Sequence, residues 1–96
     1  MTSDEFRLTL AHPEPPAVSP LLQALWYDAR GDWDRAHRIA QDLATPDAAW
    51  VHAYLHRREG DRGNARYWYA RAARPEPTGA VDLEWRQLVD TFLQRS

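Results

Sequence analysis

Gly31-Asp32 and Gly60-Asp61 stand 29 residues apart, and each pair lies between two segments of helical period. The same offset carries Ala36 to Ala65, Ala40 to Tyr69, Leu43 to Ala72 and Pro46 to Pro75. Glycine just past a helix end takes the left-handed backbone that closes it, and the aspartate after it caps the next helix. A helix, a two-residue turn and a helix, repeated at a fixed interval, predict stacked helical hairpins.

The individual helices follow from caps and periodicity. Ser19-Pro20 opens the first, whose apolar face is Leu22, Leu25, Trp26 and Ala29. Asp32 caps the second, with Ala36, Ile39, Ala40 and Leu43 as its inward stripe. Thr45-Pro46 opens the third. It carries Trp50, Ala53, Tyr54 and Arg57 on one face and Val51, Leu55 and Arg58 on the neighbouring one. Asp61 caps the fourth, with Ala65, Trp68, Tyr69 and Ala72 inward. Thr78 is expected to cap a fifth helix, to which Val81, Trp85, Leu88, Val89 and Phe92 give one apolar side, with Asp82, Glu84, Arg86, Gln87 and Asp90 largely outside it. A one-sided final helix closes the open end of a helical array. The expected fold is all-α: two antiparallel helix-turn-helix hairpins, about residues 18–46 and 47–77, closed by a C-terminal capping helix at about 79–94.

Residues 1–17 are expected to form an N-terminal extended or disordered arm. Phe6, Leu8 and Leu10 alternate with polar residues, and Pro13, Pro15 and Pro16 exclude a helix after them. At 96 residues the chain makes one domain, 18–96, with that arm attached. There is no cysteine, so no disulfide and no thiolate metal site, which suits a reducing compartment. No basic start followed by an apolar run marks a leader, and no apolar run approaches the roughly 18 residues of a membrane span. A cytoplasmic protein is the expectation. The net charge of −2 gives no overall pull toward nucleic acid, and the twelve basic residues are all arginine.

The two units resemble the tetratricopeptide repeat family over about residues 18–77. Repeat 1 offers Gly31, Asp32, Trp33, Ala36, Ala40 and Leu43; repeat 2 offers Gly60, Asp61, Ala65, Tyr69, Ala72 and Pro77. The period is 29 rather than the family's usual spacing of about 34. The Trp and Leu usual in the first helix are missing, and Tyr27 is matched in repeat 2 by His56. The resemblance implies that the first helix of each hairpin lines a concave face, which would carry Leu21, Leu25, Asp28, Trp50, Tyr54 and Arg57. Aromatic anchors beside an arginine are what a binding hot spot looks like. The leading expectation is therefore a non-enzymatic module for a protein or peptide, with a second copy of itself, as a homodimer, one candidate partner. Its binding residues would be Leu25, Asp28, Trp50, Tyr54, Arg57 and Arg58, with the arginines reading a carboxylate or phosphate. The run HAYLHRREGD…NARYWYARA is also similar to a stretch in small uncharacterised bacterial proteins, which implies no activity.

Three constellations compete with that reading. His52 and His56 are four apart and project from one helical face. The expectation is two structural histidines bonded within a helix interface and no metal site, the alternative being a metal pair, or a small enzyme, built on them with Glu59 and Asp61. A third ligand would come from His37, Asp61 or Glu59, and spacing places none of them there. Glu59, in the last turn of its helix, stands against the dipole and needs a compensating group, for which Arg62, Arg58 or the Asn64 region is expected. Six arginines between 57 and 74 face two carboxylates, a local balance of +4, with Tyr67, Trp68 and Tyr69 between them. That pattern is compatible with single-stranded nucleic acid. However, three consecutive helical residues point 100° apart, so Trp68 and Tyr69 are read as packing and nucleic acid as a minor alternative. No catalytic residue and no cofactor is singled out.

Overall fold

The computed structural model describes residues 1–95. Among them every regular element is helical: α1 (Ser3–Leu8), a short 3-10 turn at Thr9–Ala11, α2 (Pro20–Ala29), α3 (Trp33–Gln41), α4 (Pro46–Glu59), α5 (Arg62–Arg71) and α6 (Val81–Arg95). The all-α expectation holds. No helix of the described residues is long and apolar enough to cross a membrane.

The two Gly-Asp turns are built alike. Gly31 and Gly60 have φ of 87° and 91°, where a Cβ would be strained. Asp32 N–H donates to the Tyr27 carbonyl and Asp61 N–H to that of His56, both at 2.9 Å. Each aspartate side chain then accepts from the backbone N–H three residues on, that of Arg35 or Asn64. These short links pack α2 on α3 and α4 on α5, and α3 and α4 join the two pairs. The 29-residue correspondence holds inside the helices, where Ala36, Ala40, Ala65 and Tyr69 are all buried. It fails at the ends: Leu43 is exposed where Ala72 is buried, and Pro46 opens a helix where Pro75 lies in a loop.

α4 is the centre of the molecule. Every residue from Ala48 to His56 is buried, because α2, α3, α5 and α6 all pack against it. A helix enclosed on all sides has no polar face to spare, so its polar groups must find partners inside.

Of the N-terminal segment expected as an extended or disordered arm, residues 3–11 are instead a helix and a 3-10 turn, while residues 12–17, with their prolines, have no regular structure. Thr2 and Glu5 form a reciprocal capping box: Glu5 N–H donates to Thr2 Oγ1 at 3.1 Å, and Thr2 N–H to Glu5 Oε1 at 2.9 Å. Phe6 is fully buried with its ring 6.0 Å from that of Trp85, while Leu8 points outward. The apparent alternation was thus one buried aromatic beside an exposed leucine. Asp4 pairs with Arg86 at 3.0 Å, and Arg30 donates to the carbonyls of Leu10 and His12. These contacts hold the segment onto α6 and α2.

The expected concave face is not a groove. α6 lies over α2 and α4 and fills it. Trp50 meets Phe92 edge to face at 5.8 Å, and Trp85 donates from Nε1 to the Leu25 carbonyl at 2.9 Å. Glu84, expected outside, is only 3% exposed.

Candidate metal centre

Of the six residues expected to bind a partner, Leu25, Asp28, Trp50 and Tyr54 are buried, so they serve the fold rather than a partner on that face. Tyr54 donates to Asp28 Oδ2 at 2.6 Å. Burial raises the Asp28 carboxyl, opposed by that hydrogen bond and by the Arg58 guanidinium. Arg58 reaches Asp28 at 3.3 Å and Asp82 at 2.9 Å, and donates from Nε to the Tyr54 hydroxyl at 2.7 Å. Arg57 does read a carboxylate, but an internal one: it pairs with Glu84 at 3.1 Å and donates to the Gly79 carbonyl. The arginines of the basic segment are likewise dispersed. Arg66 pairs with Glu76 at 3.3 Å, Arg74 lies over the Trp50 ring, and Arg71 stands beside Tyr67 and Trp68. Tyr69 is buried as packing, Trp68 is half-buried and Tyr67 is exposed.

What the fold does bring together is histidine. His52 and His56 project from α4 toward α3, where His37 lies one turn after Trp33. The nitrogens His37 Nε2 and His52 Nε2 are 2.8 Å apart. The ring centroids of His37 and His52 are separated by 4.5 Å, those of His52 and His56 by 4.9 Å, and those of His37 and His56 by 5.2 Å. One ligand nitrogen from each of the three lies within 4.8 Å of the other two.

Two tryptophans wall the cluster. Trp33 stacks on His37 at 4.8 Å and is pinned by its Nε1 donating to the Leu55 carbonyl at 2.7 Å. Trp68 of α5 stacks on His52 at 4.0 Å. His56 Nδ1 bonds Glu59 Oε2 at 2.7 Å. Glu59 therefore finds its partner one turn back on its own helix, rather than in Arg62, Arg58 or Asn64. With the carboxylate on Nδ1, Nε2 is left as the nitrogen free for a ligand, the carboxylate–histidine arrangement common around metals. Asp61 lies within reach of His56 and Glu59. Its carboxylate is held below the usual range by side-chain and backbone hydrogen bonds from Asn64, the work of a helix cap.

Burial disfavours the charged forms of His37 and His52. Burial, reinforced by His37 and His56, pushes His52 down to about 4. His37 is lowered by burial and by His56, against the opposing pull of Glu59 and Asp34. Neutral imidazole is the form that ligates metal. Zinc–nitrogen bonds of about 2.0–2.1 Å place tetrahedral ligand nitrogens roughly 3.4 Å apart. The His37–His52 contact, 2.8 Å, is somewhat shorter than that spacing, so the two nitrogens would have to separate to share an ion.

The lowered values also fix a pH dependence. Below about pH 6.5 an unfolded histidine takes up a proton that folded His52 refuses. Stability in chelator is thus full above pH 6.5 and falls toward pH 4, by up to about 1.4 kcal/mol per pH unit from this group. Urea unfolding at pH 7 and pH 5 checks this, and His52→Gln should flatten the profile. An equal fall in that variant would contradict the assignment.

Of the triad, the i, i+4 pair was readable from sequence, whereas His37 belongs to another helix and only packing delivers it. No family model matches this chain, and neither a curated protein nor a solved structure matches it.

Proposed function

We propose that this protein binds one divalent transition-metal ion, zinc being the reference case, through His37, His52 and His56. The observation that carries the reading is the convergence of three imidazole nitrogens within 4.8 Å, with His52 held neutral. Glu59 behind His56 supplies the outer carboxylate that orients a ligating histidine. Three nitrogens leave a position for a further ligand, the pattern of reactive rather than purely structural zinc sites. The chain has no cysteine to make a thiolate site, and a reducing cytoplasm suits it. The two hairpins are read as tetratricopeptide-like on the likeness of their Gly-Asp turns, but with α6 on the face where such folds hold a peptide.

The competing reading is a purely structural stack, Trp33 on His37 and His52 on Trp68. Native mass spectrometry and calorimetry with zinc separate the two. The expected result is one zinc per chain. At a free concentration 100 times Kd, zinc should stabilise the fold by about 2.7 kcal/mol. His37→Ala should abolish both effects while keeping its helical circular dichroism, since His37 is only half-buried. A wild-type protein that ignores zinc overturns the proposal.

A further inference from the structure

His52 belongs to two features at once. Besides the triad, it lines a cleft of about 300 Å³ formed by the 41–46 connection, the start of α4, and Trp68 and Arg71 of α5. None of the described residues lining this cleft is acidic. Its one full charge is Arg71, whose guanidinium donates to the Tyr67 hydroxyl at 3.1 Å and lies beside the rings of Tyr67 and Trp68. Among the described residues no carboxylate pairs with it. Leu43, Ala48 and Ala49 give the cleft an apolar wall.

We infer that this cleft delivers a small carboxylate anion to the metal as its next ligand, with Arg71 as the counter-charge; the inference rests on the metal reading above. Charge decides the class of ligand. Three neutral imidazoles leave a divalent ion with its full charge; the carboxylates near the triad, Glu59 and Asp61 beside His56 and Asp34 acting on His37, do not line the cleft. A cleft that adds an arginine and no carboxylate raises the positive potential further, and low-dielectric walls concentrate it. An anion entering there gains from both charges, whereas a cation or a neutral amide does not. Guanidinium suits the fixed geometry of a carboxylate, and the alanine and leucine wall fits a short alkyl chain.

Cobalt(II) is the probe, because its visible d–d bands report a change of ligand. The full chain is loaded with cobalt and titrated with propionate, and with propionamide as the neutral control. Propionate should shift and intensify the bands, and propionamide should leave them unchanged. Arg71 is exposed, so Arg71→Ala is expected to fold. It should weaken propionate at least tenfold while cobalt affinity stays within threefold. If cobalt binds but propionate leaves the bands unmoved, the cleft inference falls and the metal site stands. The same holds if propionamide acts equally or if Arg71→Ala responds like wild type. If cobalt does not bind, both fall.

Discussion

Glu84→Ala is expected to destabilise this protein by about 3–5 kcal/mol, because it strands buried donors around a missing carboxylate. Glu84 of α6 accepts from Trp50 Nε1 at 3.2 Å, from the Tyr69 hydroxyl at 2.7 Å and from Arg57 at 3.1 Å. These partners come from α4 and α5, so one carboxylate ties three helices together. Burial, with Glu84 beside it, raises the Tyr69 hydroxyl far above its usual value, so it stays protonated and donates. Removing the acceptor leaves Trp50 and Tyr69 unsatisfied and Arg57 without its ion partner, each a cost of about 1–3 kcal/mol when water cannot enter. Glu84→Gln keeps the shape and one acceptor oxygen and should cost less. Against a total stability of about 5–15 kcal/mol for a domain of this kind, the alanine variant will be marginal or unfolded at 37 °C. Denaturant midpoints of the two variants provide the check. A Glu84→Ala unfolding free energy within about 1 kcal/mol of wild type would mean that the network is dispensable.

Trp85→Ala should cost a similar amount, about 3–5 kcal/mol, for a different reason. The indole is 5% exposed, meets Phe6 of α1 and the Arg7 guanidinium, and donates to the Leu25 carbonyl of α2. Its loss opens a cavity where α1, α2 and α6 converge. Hydrogen exchange distinguishes this from simple release of the N-terminus. Phe6→Ala should expose the amides of α1 while those of α4 stay protected. Trp85→Ala should lower protection in α2 and α6 as well. Protection lost from α1 alone in both variants would reduce Trp85 to an anchor for the N-terminus.

The contrast between these two residues explains what periodicity missed. Trp85 falls on the apolar stripe of α6 and is inward on any helical projection. Glu84 lies 100° from it, and a polar residue there reads as solvent-facing. Its burial follows from Trp50, Arg57 and Tyr69 arriving from two other helices, which no local pattern records. The same holds for the expected binding face. Trp50 and Tyr54 were correctly placed on one side of α4, but an aromatic beside an arginine looks alike whether its partner is another protein or α6. α1 is a different kind of miss. Its capping box, Thr2 to Glu5, is written in the sequence, but the reading of that segment rests only on the alternation of Phe6, Leu8 and Leu10 and on the prolines that follow.

The sequence by itself determined the helical class, the positions of four helix starts and the two left-handed turns. These depend on residues within one or two turns of each other: proline at a first helical position, aspartate or threonine at a cap, glycine at a positive φ. It also determined that His52 and His56 share a face, since a spacing of four does so in any helix. Only the tertiary structure decided what those faces meet. The packing of α3 against α4 brings His37 to the pair, the hairpin to α5 seats Trp68 on it, and α6 closes the groove that an open repeat would have left for a partner. Contacts of that kind join residues 15 to 60 positions apart, and their geometry is set by which helix lies across which, not by anything either segment encodes alone.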